Sequence, residues 1–122
     1  MSGTTVNPLP LEGKPVVQSY GEGRFGIAGR VHEGSVLILG GEVRPWPAAE
    51  ATLDTLAAVG YGPGILVVGC GARFTLPPAG LGEALKARGW ALEWMDTGAA
   101  CRTFNLLQSE DRPSAAALIA VE

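Results

Sequence analysis

A single histidine, His32, and two cysteines, Cys70 and Cys101, are all that 122 residues offer of the usual soft metal ligands. Only scattered carboxylates would complete a metal site, so none is expected. A Ser-His-Asp triad would have to recruit His32, which falls in a short β-like hairpin segment away from the strand-to-helix loops. The two cysteines form neither a C-x-x-C pair nor a disulfide scaffold, and the default setting is reducing and cytoplasmic. Charge is also scarce, at 17% against a typical ~25%. Nine basic residues face twelve acidic ones, and the arginines are scattered. Nucleic acid and anionic membranes need clustered cations, so neither is an expected partner. No apolar run approaches the ~20 residues of a membrane span, and residues 1–15 carry no basic start or apolar stretch of a signal peptide.

Glycine is plentiful instead: 18 residues, about twice the usual share of ~7%. Hydrophobic residues make up 47%, enough for a real core. The length suits one domain, read as a flexible arm over 1–15 and a single α/β domain over 16–122.

The first third reads as antiparallel β. Val16–Tyr20 and Phe25–Ala28 flank Gly21-Glu22-Gly23, and Arg30–His32 and Ser35–Leu39 flank Glu33-Gly34, so two hairpins are expected, followed by an extended piece over Glu42–Trp46. Beyond it, Leu53–Val59 has helical spacing after a capping Thr52, and Ile65–Val68 is a continuous apolar run like a strand buried on both faces. Pro77-Pro78 precedes a helix that Gly89 ends. Ala91–Met95 forms a strand, Asp96 caps a helix over Thr97–Ser109, and Ala115–Val121 is the last strand. This alternation implies βαβ units and a mostly parallel sheet, giving an α/β fold with an N-terminal antiparallel β extension.

Three segments carry the chemical candidates. Gly21-Glu22-Gly23-Arg24-Phe25-Gly26 matches G-x-G-x-x-G by letter, but a strand follows rather than the helix a dinucleotide site needs, so it reads as a turn. Gly69-Cys70-Gly71-Ala72-Arg73 leaves the buried strand at its carboxyl end, where α/β folds bind ligands; Arg73 could face an anion, though a tight turn leaving a crowded strand is the favoured account of the glycines. Asp96-Thr97-Gly98-Ala99-Ala100-Cys101-Arg102 opens a helix whose N–H groups could hold an anion, with Asp96 competing for them as a cap. The helix dipole and Arg102 could lower the pKa of Cys101, yet a cysteine among alanines more often packs as a small hydrophobe. Arg102, Asn105 and Ser109 share a helical face. Trp46, Trp90, Trp94, Phe74 and Leu76 supply apolar bulk for a core or for a partner surface.

The run from Met95 to Leu107, MDTGAACRTFNLL, followed by Ala115–Ile119, resembles the signature of a small MTH-type domain family of unknown function. That family includes the mitochondrial respiratory complex I assembly factor three and the adipogenesis-associated MTH-domain protein. Tyr20-Gly21, Gly34–Leu37, Trp46, Val67–Gly69, Gly71, Phe74 and Pro77-Pro78 match in the same order. The resemblance implies a three-layer α/β domain with a central mixed sheet flanked by helices, whose last strand can run antiparallel. It implies no catalytic residue and no cofactor. Cys70 stands where the family often has a hydroxyl residue, and Gly98 occupies a variable place. The expectation is therefore a non-enzymatic interaction or assembly module with a protein partner or self-association. The alternative is a small-anion or metabolite site, possibly thiol-dependent, at loops 69–74 and 96–102. Its candidate residues are Gly69, Cys70, Gly71, Arg73, Asp96, Thr97, Cys101, Arg102 and Asn105.

Overall fold

The computed structural model describes residues 3–6 and 13–122. Of the arm expected over 1–15, residues 1–2 and 7–12 lie outside the described residues. Thr4–Thr5 form β1, paired antiparallel with Ser19 and Tyr20.

Two sheets share the chain. The first is antiparallel in the order β1-β2-β3-β4, with β2 over Val17–Gly21, β3 over Arg24–Ile27 and β4 over Arg30–Glu33. Gly21 pairs with Arg24, leaving Glu22-Gly23 as a two-residue turn with φ of 52° and 73°. Two successive positive φ values define the mirror-image turn whose twist suits a hairpin. The letters of a nucleotide loop are thus a hairpin here, as expected.

The second hairpin differs from expectation. β4 returns on β3 through Ala28-Gly29 (φ 49° and 81°), not on β5 through Glu33-Gly34. At Glu33-Gly34 the chain instead crosses between sheets. It enters β5 (Val36–Leu39), which pairs with β6 (Glu42–Pro45).

The second sheet runs β6-β5-β9-β7-β8, with β7 over Gly64–Gly69, β8 over Trp90–Met95 and β9 over Ser114–Leu118. β7 is parallel to β8 and β9, while β5 is antiparallel to β6 and β9. The sheet is therefore evenly mixed rather than mostly parallel. The last strand is both parallel and antiparallel, depending on which neighbour is considered. Its alanines Ala115–Ala117 are small because the strand lies between two neighbours and beneath helices on both faces.

Alternate residues of the strands feed two cores. On one face Leu37, Leu66, Val68, Ala115 and Ala117 pack with α1 (Leu53–Leu56), α2 (Leu81–Lys86), Trp46 and Trp90. On the other, Val36, Ile38, Val67, Ala116 and Leu118 meet α3 (Thr97–Ser109) through Ala100, Phe104 and Leu107. Val17, Phe25 and Ile27 of the first sheet join this second core. Thr52 caps α1 by accepting from the Thr55 N–H, and Asp96 caps α3 by accepting from Ala99.

Candidate functional site

The two candidate loops do converge. Cys70 N–H donates to Met95 O at 2.8 Å, and Thr97 N–H donates to Gly71 O at 2.8 Å. In return Gly71 N–H donates to Thr97 Oγ1 (3.1 Å), while that hydroxyl donates to Ile119 O (2.8 Å). Ile119 N–H closes the set on Gly69 O at 3.0 Å. One buried threonine thus ties together the ends of β7, β8 and β9. Gly69 is a packing residue: a Cβ there would lie 2.9 Å from both Thr97 Cα and Thr97 Oγ1. The glycine and the threonine hold the loops together, and the polar atoms of those loops are bonded to one another.

The helix N-terminus is occupied in the same way. Of its first N–H groups, Thr97 donates to Gly71, Ala99 to Asp96 Oδ1 and Ala100 to Asp96 O. A Cβ at Gly98 would collide with the Tyr20 hydroxyl, so the Tyr20 ring on β2 covers the remaining position. Nothing in the sequence couples Tyr20 to Gly98, which lie 78 positions apart and meet only in the fold.

Cys101 is fully buried, and burial pushes its thiol from 9.0 up to about 12; the charge of Arg102 offsets only part of this. A nucleophile or redox centre needs an accessible thiolate. The thiol-dependent alternative therefore lacks its thiolate at Cys101. Cys70 is half-buried, with Sγ donating to Arg73 O at 3.5 Å.

Asn105 does not share an exposed face with Arg102 and Ser109. It is buried, and its amide grips the backbone of Val17: Val17 N–H donates to Oδ1 and Nδ2 donates to Val17 O, both at 2.8 Å. A planar amide with one donor and one acceptor mimics a neighbouring strand, which is why asparagine stands there. It clamps the first sheet to α3. Arg73 and Arg102 are both exposed and have no ion-pair partner among the described residues.

The tryptophans form no exposed patch. Trp46 and Trp90 are buried and Trp94 half-buried, and their indole N–H groups donate to Thr55 O of α1 (3.0 Å) and to the loop carbonyls Gly60 O (3.0 Å) and Thr75 O (2.6 Å) respectively. What Trp94 fastens is the apolar feature that is exposed. Residues 72–80 are all exposed, and they carry Phe74 at 57% and Leu76 at 83% exposure, next to Arg73. A small cleft of about 90 Å³ lies between this loop and the start of α1, lined in part by Cys70, Leu76 and Trp94. Among the described residues no group of three or more His, Cys, Asp or Glu side chains gathers, and no helix is long and apolar enough to cross a membrane.

The family model described as a protein of unknown function, DUF498/DUF598, matches residues 17–119. The chain belongs to that family. An uncharacterized protein of Rhodobacter capsulatus is 39% identical over 111 residues, covering 91% of this chain and 84% of that protein. The NADH dehydrogenase [ubiquinone] 1 alpha subcomplex assembly factor 3 of Danio rerio is 36% identical over 110 residues, covering 85% of this chain; the match spans only 63% of the fish protein. The solution structure of a Mth938-like domain from Bordetella pertussis superposes with a TM-score of 0.75 at 26% identity, covering 98% of this chain and 92% of that one. The resemblance read from residues 95–107 is thereby shown, and Thr97 and Asn105 within that block now have structural explanations.

Proposed function

We propose that this DUF498 chain is a non-enzymatic protein-interaction module of the assembly-factor kind, and that residues 72–80 are its contact surface. The observation that carries the reading is Phe74 and Leu76, two large apolar side chains exposed on a loop fastened by the Trp94 indole and the Cys70 thiol. Anchors already held in place lose little entropy on binding, which is the property of interface hot spots. Pro77-Pro78 stiffens the same loop further. The layered body, with α1 and α2 on one side of the mixed sheet and α3 on the other, serves as a rigid scaffold. Kinship with an assembly factor agrees with this role. The partner expected is a protein with an apolar groove for Phe74 and Leu76 and an acidic rim for Arg73. A cytoplasmic setting is part of the proposal, in keeping with two free cysteines.

The test is photo-crosslinking from position 74 in cells, beside affinity capture with the wild type and a Phe74→Ala/Leu76→Ala variant. A discrete partner that crosslinks at 74 and is lost from the double variant is the expected result. Retention of the same partners by a folded double variant would refute the loop as the contact surface.

A further inference from the structure

Strand β8 ends the larger sheet, and its outer side has no neighbour among the described residues. The other sheet edges are blunted. β6 carries Glu42 and Arg44 and ends at Pro45, β4 carries Arg30 and Glu33, and β1 is two residues long. β8 has no proline and is not cut short, and a single charge is all that guards it. Its six residues, WALEWM, hold an unbroken register with β7 and carry one charge, Glu93. A long, regular, apolar edge is what folded proteins ordinarily avoid exposing.

The backbone parity of that edge is fixed by its ends. Gly64 N–H donates to Gly89 O at 3.3 Å, and Cys70 N–H donates to Met95 O at 2.8 Å. Successive strand residues direct their backbone groups to opposite sides, so residues 89, 91, 93 and 95 face β7. The N–H and C=O groups of Trp90, Leu92 and Trp94 therefore point outward, and none has a backbone partner among the described residues.

We propose that this edge is a homodimer interface, in which β8 of a second copy pairs antiparallel across a two-fold axis normal to the sheet. Such an axis must pass between a residue and its own copy, because opposed residues point to the same face. Centred on Leu92, the pairing sets Leu92 against Leu92 and Trp90 against Trp94 of the second copy. All three outward residues then form hydrogen-bonded pairs, about six N–H···O bonds in all. Glu93 comes to lie opposite Ala91. Centring on Glu93 would oppose two carboxylates, which is unfavourable. Centring on Ala91 would set Trp94 against Arg88, beyond the strand. Charge and length thus select one register.

The flanks suit the same occupant. An open groove of about 520 Å³ runs beside the edge, lined by Gly82, Lys86, Gly89, Trp90, Ala91 and Leu92. On the other face, Thr103 Oγ1 meets Met95 Sδ at 3.3 Å, and Leu106, one turn further along α3, is 57% exposed. The interface goes beyond the loop surface proposed above and does not rest on it.

Sedimentation equilibrium of the full chain, from micromolar to millimolar concentration, is the test. The wild type is expected to show a monomer–dimer equilibrium. Ala91 is exposed, so changing it leaves the core intact, which far-UV circular dichroism and a melting curve would verify. Ala91→Lys sets a cation against Glu93 at two symmetric positions and should tighten the dimer about twofold to thirtyfold; Ala91→Glu should weaken it by a similar factor. Adding Glu93→Lys to Ala91→Glu should restore association. A wild type that stays monomeric throughout overturns the proposal, even if the edge captures a strand of another protein. So does a dimer indifferent to all three charge changes. Either failure leaves the loop reading standing, because association is measured on this chain alone and the loop is tested by its capture of a different protein.

Discussion

Single side chains that read as chemistry in the sequence turn out to bond to the chain's own backbone. Thr97 joins three strand ends and Asn105 stands in for a strand beside Val17, while Cys101 packs as a small apolar side chain on the buried face of α3. The polarity of these residues was visible, but not whether it was aimed at a ligand or at a neighbouring peptide. That distinction depends on which segment arrives from elsewhere in the fold. Cys101 offers a direct check. Because burial raises its pKa from 9.0 to about 12, the folded chain keeps a proton there that the unfolded chain has lost. Its contribution to stability is whole below pH 9 and falls away as pH rises towards 12. Urea unfolding across this range should show wild type losing more stability than Cys101→Ala; parallel curves would contradict the assignment. A thiol reagent should modify Cys70 in the folded protein and reach Cys101 only on unfolding.

Among the elements, α3 was the most legible. Asp96, the apolar spacing of Ala100, Phe104 and Leu107, and the turn at its end gave both boundaries, because each is a local signal. Asp96→Ala removes the acceptor for the Ala99 N–H and should lower stability by about 1 kcal/mol in chemical denaturation, with Asp96→Asn recovering most of it. The hairpins show where local signals mislead. Glu33-Gly34 has good turn chemistry yet joins two sheets, while the turn that closes β3 on β4 puts an alanine, Ala28, at φ 49°. Alanine has no preference for that conformation, so composition gave no reason to expect a turn there. The longer strands were readable from apolar runs and alternation, but β1 lies within a segment read as an arm, and strand partnership was not readable.

Across the molecule, the two sheets are held together through α3. Val17, Phe25 and Ile27 pack beside Phe104, and the Asn105 amide supplies the polar link to β2. Asn105→Ala would leave the buried Val17 N–H without its acceptor and Val17 O without its donor, at a cost of about 2–4 kcal/mol. The loss should concentrate in one region: hydrogen exchange should accelerate in β2 to β4 more than in β7 and β9, and uniform acceleration would argue against a two-part assembly. The order β6-β5-β9-β7-β8 was the least legible property, because the strand joining the antiparallel and parallel halves comes from the far end of the sequence. That order bears on how the protein is made. A nascent chain ending before Ser114 holds β5 with β6 and β7 with β8 but no strand between the pairs, each with an open inner edge of Val, Leu and Ile. The larger sheet can close only after residues 114–118 leave the ribosome. A premature stop codon that removes those few residues would therefore release an unclosed, aggregation-prone chain rather than a slightly shortened domain.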